Sequence, residues 1–176
     1  MGGLPFFAED LGYITPEVHA LRKRLQMPGM AVLQFGFGDK GAHMYLPQQL
    51  TPETVVYTGT HDNDTLVGWW NNSATVEEKR AAETYFGRSE EGIHWSFIRA
   101  AQSSVASLSV IPMQDLLGLG SEARMNMPSQ RGGNWRWRLL PGSLTPELAK
   151  KMADLSEVTD RCPEPLPDPS AEEFAA

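Results

Sequence analysis

Apolar runs and polar bursts alternate along this chain, and the period of each run predicts its element. Residues 4–8 (Leu-Pro-Phe-Phe-Ala) form a short apolar run of the buried-strand kind, cut off by Glu9, Asp10, Leu11 and Gly12, where a loop begins. Thr15-Pro16-Glu17 then opens a helix, with Thr as N-cap, Pro at the first helical position and Val18, Leu21 and Leu25 on one stripe; Pro28-Gly29 stops it. Residues 30–35 (Met-Ala-Val-Leu-Gln-Phe) read as a second buried strand. A long glycine-containing loop follows over 36–47, carrying His43, Tyr45 and Leu46, and a long loop after a strand is often functional. Residues 54–58 (Thr-Val-Val-Tyr-Thr) predict a third strand, which runs into the polar cluster Gly59-Thr60-His61-Asp62-Asn63-Asp64-Thr65. Helices follow over 76–85 and 91–104, the second with Ile93, Phe97, Ile98 and Ala101 on one stripe. Residues 107–113 (Ser-Leu-Ser-Val-Ile-Pro-Met) predict a fourth strand ending at Gln114-Asp115, and a last helix, 144–157, begins at Thr145-Pro146-Glu147.

Strand, loop and helix therefore repeat, and each strand closes on polar residues. That alternation argues for parallel strands joined by crossover helices, an α/β fold. In a TIM barrel the reacting groups sit at the C-terminal strand ends, which is where Glu9, Asp62 and Asp115 fall. A closed barrel takes eight strands and typically about 250 residues, so four units in 176 residues read as the C-terminal half of a TIM (β/α)8 barrel. The alternative is an open doubly wound sheet, but no glycine-rich phosphate fingerprint follows a strand, and Gly36-Phe37-Gly38 does not open a helix. After Cys162 the pattern collapses: Pro163, Pro165, Pro167 and Pro169 alternate with acidic and small residues, a composition that cannot bury a core. The expected organisation is start residues 1–3, a half-barrel over 4–162 and a mobile acidic tail over 163–176.

Composition narrows the class of partner. With 41% hydrophobic and 21% charged residues the chain is globular in type. Its net charge of -7 argues against nucleic acid, because phosphate recognition needs clustered Lys and Arg. Arg22-Lys23-Arg24 is the one dense basic run, and inside a helical pattern it reads as a solvated face. Cys162 is the single cysteine, so no intrachain disulfide forms, and no Cys/His zinc spacing occurs. No stretch reaches the roughly 18 apolar residues of a membrane span, and no basic region precedes an apolar one at the start. The expectation is a soluble, cytoplasmic protein with neither membrane nor nucleic acid as partner.

Two carboxylates stand out. Glu9 follows Phe6, Phe7 and Ala8, an apolar approach that raises a carboxyl pKa and suits a general acid. Asp62 ends another strand, beside His61, and two carboxylates facing one cleft are what glycoside chemistry places around an oxocarbenium-like transition state. On spacing alone such residues are more often helix caps or solvated loop residues. Asp10 and Asp64 read as structural. His61 has no second His or Cys at metal spacing, so a sugar hydroxyl is its expected partner. No Gly-x-Ser-x-Gly elbow supports a serine nucleophile. Trp69, Trp70, Trp135 and Trp137 offer faces that stack on sugar rings, whereas Trp95, within a helix, is expected in the core, and Gly132-Gly133-Asn134 reads equally as an ordinary turn.

Four longer stretches go beyond spacing: Phe-Ala-Glu-Asp-Leu-Gly-Tyr-Ile-Thr-Pro-Glu-Val (7–18), Tyr-Thr-Gly-Thr-His-Asp-Asn-Asp-Thr (57–65), Gln-Asp-Leu-Leu-Gly-Leu-Gly-Ser-Glu-Ala-Arg-Met-Asn (114–126) and Gly-Asn-Trp-Arg-Trp-Arg (133–138). In this order they resemble the 4-alpha-glucanotransferases, the amylomaltase or disproportionating enzyme family, over roughly residues 4–160. The resemblance implies a TIM barrel with insertions, transfer of maltooligosaccharyl units between α-1,4-glucans with retention of configuration, and no metal or organic cofactor. It assigns Glu9 as general acid/base, Asp62 as transition-state stabiliser, His61 and Asn126 as substrate contacts, and Phe35, Phe37 and Asp39 to a substrate-binding aromatic loop.

Some features depart from the family. Its nucleophile, an Asp in an Arg-Ile-Asp-His type motif, occurs nowhere in this chain. Retaining chemistry needs that group about 5 to 5.5 Å from the acid/base, so the chain is expected to be inactive alone and to partner the missing N-terminal part of the barrel. Leu46-Pro47-Gln48-Gln49 stands where the family often has Leu-Pro-His-Asn, and Met127-Pro128-Ser129-Gln130 where Thr-Pro-Gly is usual. The alternatives are a non-catalytic glucan-binding or assembly fragment and an α-amylase-like hydrolase, which shares the Glu and His-Asp placement.

Overall fold

A computed structural model describes residues 5–38 and 42–162. Leu4, Asp39 and the proline-rich tail expected over 163–176 lie outside the described residues. Two compact units divide the chain, Met1–Ser143 and Leu144–Ala176.

The first unit is built on one parallel sheet in the order β1-β2-β3, with β1 at Gly29–Val32, β2 at Thr54–Tyr57 and β3 at Leu108–Val110. Gly29 pairs with Thr54 and Val32 with Tyr57, while Val55 pairs with Leu108 and Tyr57 with Val110. Successive side chains of a strand point to opposite faces, and both Val55 and Val56 are buried, so both faces of β2 are covered, as parallel sheets require.

The segments between the strands follow their local chemistry. Thr75 and Glu78 form a reciprocal capping box that starts the Val76–Phe86 helix. The Ile93–Gln102 helix buries Trp95, Phe97, Ile98 and Ala101. Phe97 joins Leu33, Phe37, Leu46, Val56, Leu66 and Trp69 in the central core cluster. Burial of side chains this size is worth about 1.5–3 kcal/mol each, so this helix anchors the sheet.

Three expectations are corrected. The buried strand predicted over 4–8 does not form in its described part. Ala8 N–H donates to Pro28 O at 2.9 Å, but Phe6 and Phe7 remain 60% and 56% exposed. An apolar run becomes a buried strand only where a ladder and a covering layer both meet it. The predicted second strand is shorter than expected: after Val32 the backbone tightens into a 3-10 turn, Leu33–Phe37. The basic run of the Pro16–Arg24 helix is not wholly solvated, because Arg22 turns inward, with Nε 3.0 Å from Asp10 Oδ2 and Nη1 donating to Met27 O at 2.9 Å. The apolar stripe of that helix, Val18, Leu21 and Leu25, is exposed.

In the second unit Thr145 Oγ1 accepts from Leu148 N at 3.2 Å and so caps the Pro146–Val158 helix, close to the predicted bounds. Among the described residues no helix is long and apolar enough to cross a membrane.

Candidate active site

Because the three strands are parallel, their C-terminal ends share one edge of the sheet, and the polar clusters seen in the sequence meet there. The floor is set by Asp115, just beyond β3. Its Oδ2 accepts from Thr58 Oγ1 at 2.6 Å and its Oδ1 from Leu66 N–H at 2.8 Å, which ties the ends of β2 and β3 beneath the 59–65 loop. Only 2% of Asp115 is exposed. That burial holds its pKa above the ordinary carboxylate value, against the two hydrogen bonds that pull it down. Asp64 is also structural: its Oδ1 accepts from Thr65 N–H at 2.8 Å and its Oδ2 from Ser121 Oγ at 2.6 Å.

Above this floor the loop turns on Asn63, whose Oδ1 accepts from both the N–H and the hydroxyl of Thr60, each at 2.8 Å. Asn and Asp side chains commonly close such turns on nearby backbone, and this one leaves His61 and Asp62 half exposed at its tip. His61 Nε2 lies 3.4 Å from Asp62 Oδ1.

A second segment grips the pair from outside. Asn126 Nδ2 donates to Asp62 Oδ1 at 2.5 Å and Asn126 N–H to His61 O at 3.0 Å. Arg124 Nη2 donates to Asp62 O at 2.6 Å and its Nε to Asn126 O at 2.8 Å. The Trp135 ring lies on His61, with centroids 5.1 Å apart and planes tilted by 36°. The intervening loop is closed by Asn134, whose Oδ1 accepts from Met127 N–H at 3.0 Å while its amide donates to Met127 O and Gln130 O.

Glu9, Phe35, Tyr57, His61 and Asp62 line one cavity of about 520 Å3. A smaller one of about 170 Å3 continues past His61 toward Arg124 and Trp135. Glu9 itself is exposed, so the apolar burial expected from Phe6 and Phe7 is absent. Partial burial pushes the Tyr57 hydroxyl pKa up.

Of the expected site residues, Glu9, Asp62, His61 and Phe35 thus come to one cavity, and Asn126 joins them through Asp62. Phe35 meets Tyr45 edge-on at 5.6 Å. Phe37 does not belong there: it is 5% exposed and packs on Phe86 and Phe97 at 5.3 and 5.4 Å. A 3-10 helix has three residues per turn, so positions two apart point to different sides, and Phe37 enters the core while Phe35 looks into the cavity. Gln48, which departs from the family's pattern, accepts from the Tyr85 hydroxyl at 2.7 Å. Asp39 is outside the described residues. Tyr57, Thr60, Asn63 and Arg124 carry no site assignment from the sequence, although all four lie in the conspicuous motifs, whereas Trp135 was among the expected sugar-stacking rings. Among the described residues no three His, Cys, Asp or Glu side chains converge as a metal ion would need.

Glu9, His61, Asp62 and aromatic residues around an open cavity at one edge of a three-stranded parallel sheet place the chain in the α/β class. The sequence profile of 4-alpha-glucanotransferase matches residues 1–144, and the chain belongs to that family. It is 49% identical over 168 residues to the 4-alpha-glucanotransferase of Thermus thermophilus, a match covering 91% of this chain and 33% of that protein. It is 46% identical over 159 residues to that of Synechocystis, covering 90% and 32%. Among solved structures, amylomaltase from Streptococcus agalactiae in complex with acarbose superposes with a TM-score of 0.87 at 37% identity, covering 93% of this chain and 33% of that one. The chain thus spans about a third of the length of these relatives.

Proposed function

We propose that this chain carries two of the three catalytic carboxylates of a retaining 4-alpha-glucanotransferase and forms the C-terminal half of its TIM barrel. The observation that carries the reading is the joint lining of one cavity by Glu9 and Asp62, at the polar edge of a parallel sheet. In this reading Glu9 protonates the glycosidic oxygen of the leaving glucan and then takes the proton of the acceptor hydroxyl.

Asp62 stabilises the oxocarbenium-like charge, its carboxylate oriented by Asn126 and its main chain by Arg124. Preorganisation of this kind is effective because no reorientation is needed as charge develops. His61 binds a sugar hydroxyl, and Phe35 supplies a ring against a sugar face. Acarbose in the related Streptococcus agalactiae amylomaltase supports an α-glucan as ligand. The nucleophile comes from polypeptide outside these 176 residues, which is also the partner of this chain. A reducing cytoplasm belongs to the same proposal and fits the single, exposed Cys162.

The test is complementation. The purified chain is mixed with the nucleophile-bearing N-terminal portion of a family enzyme and supplied with maltotriose. Disproportionation into shorter and longer glucans is expected from the mixture, none from either part alone, and none from a mixture carrying Glu9→Gln. Hydrolysis without longer products, or glucan binding without turnover, overturns the reading.

A further inference from the structure

We propose that Trp135 is the positioning residue of the His61–Asp62 pair, its indole lying beside the imidazole and keeping Nε2 near the Asp62 carboxylate, 3.4 Å from Oδ1. The proposal rests on the reading of these two residues as sugar-facing groups. It deepens that reading by naming what fixes them.

An imidazole as open to solvent as that of His61, 53% exposed, is free to visit several staggered rotamers. Among the described residues its ring meets the Trp135 indole, at a separation within the favoured range for aromatic pairs and a tilt between stacked and edge-on. That placement is enforced. Trp135 has φ +62°, a left-handed backbone conformation rare for a bulky residue, and such conformations persist where the surroundings over-determine them.

Here they do. Trp135 N–H donates to Met125 O at 2.7 Å, and its carbonyl accepts from Arg138 Nη1 at 2.9 Å. Asn134 pins the preceding loop through three hydrogen bonds to Met127 and Gln130. The same segment reaches the His61 carbonyl through Asn126 and the Asp62 carbonyl through Arg124. Main chain and ring of His61 are therefore held by one unit.

The test reads His61 directly and needs no turnover, so its failure and that of the proposed function can be told apart. Long-range 1H–15N and aromatic 1H–13C spectra of the labelled chain are recorded, with His61→Gln identifying the signals. The His61 ring protons are expected upfield of a free imidazole, with one tautomer dominant. Trp135→Ala should abolish both features, and Trp135→Phe should retain the tautomer with a smaller upfield shift. Should Trp135→Ala fail to fold, Asn134→Ala unties the loop with the indole intact, and the same loss of the dominant tautomer is expected. An unchanged tautomer population in the folded variant, whatever happens to the ring shift, overturns the proposal.

Discussion

Asn126 donates its side-chain amide to Asp62 Oδ1 at 2.5 Å across 64 residues of sequence, and its own main-chain N–H closes on the carbonyl of the adjacent His61. One residue thus fixes both the carboxylate and the backbone beneath it. Asn126→Ala should therefore separate function from fold. The contact is partly solvated, so the stability lost is about 0.5–1.5 kcal/mol, the usual net value of one hydrogen bond. Displacement of a reacting group by about 1 Å can cost on the order of a hundredfold in rate. Initial rates of maltotriose disproportionation in the complemented assembly, set against urea denaturation of the chain, check both numbers. Asn126→Asp should be worse than Asn126→Ala, because it puts a second negative charge against Asp62.

The buried carboxylate of Asp115 predicts a pH dependence of stability. Its pKa in the folded chain is raised above the ordinary 3.8, chiefly by burial. A folded state that holds the proton more tightly than the unfolded one is favoured by this group below the unfolded value, and that favour is lost as pH rises through the folded value. Asp115→Asn keeps the shape and cannot ionise, so the stability of this variant relative to the native chain should increase from about pH 4 upward. Asp115→Ala leaves the Thr58 hydroxyl and the Leu66 N–H buried without their acceptor, a cost of about 1–3 kcal/mol for each group. Denaturation midpoints across a pH series distinguish the two variants.

Phe35 and Phe37 were equivalent in the sequence and are not equivalent in the fold. Phe37→Ala removes a ring packed on Phe86 and Phe97 and should cost about 3–5 kcal/mol, a large part of the about 5–15 kcal/mol that holds a domain together. Phe35→Ala should leave stability nearly unchanged and weaken maltooligosaccharide affinity. Thermal melts and KM values, measured in parallel, are expected to move in opposite variants. A KM effect confined to Phe37→Ala at full stability would falsify the placement of the two rings.

That pair also shows where the sequence is legible. β2 could be read because a β-branched and aromatic run bounded by polar residues has few other uses. The Val76–Phe86 helix could be read because its capping box is local. Asp62 could be singled out because it stands where a strand ends. The Leu33–Phe37 turn could not be read, since the same alternation of apolar residues fits a strand until the backbone tightens. Nor could the exposure of Phe6 and Phe7, which depends on what packs beside them rather than on their own chemistry. Trp135 illustrates the third kind of gap. Its motif was conspicuous, but a positive φ and a contact with a residue 74 positions away are properties of the folded chain alone.

Gly68, the last residue of a short helix, Leu66–Gly68, lets two elements approach that a side chain would separate. A Cβ at this position would stand 2.5 Å from both Asp64 Oδ1 and Ser121 Oγ, whose carboxylate and hydroxyl are themselves joined at 2.6 Å. Alanine is intrinsically the better helix former, by about 1 kcal/mol, so propensity alone predicts that Gly68→Ala stabilises the chain. Close packing predicts the reverse: the Asp64–Ser121 bond must open, and a hydrogen bond to a charged group is worth about 1.5–3 kcal/mol. The net expectation is a loss of about 0.5–2 kcal/mol. A double-mutant cycle with Ser121→Ala decides the mechanism. If the new methyl acts by breaking that bond, its penalty should shrink once Ser121 Oγ is gone, a coupling of about 0.5–3 kcal/mol between neighbouring sites. Strict additivity in urea denaturation would place the cost in the backbone instead.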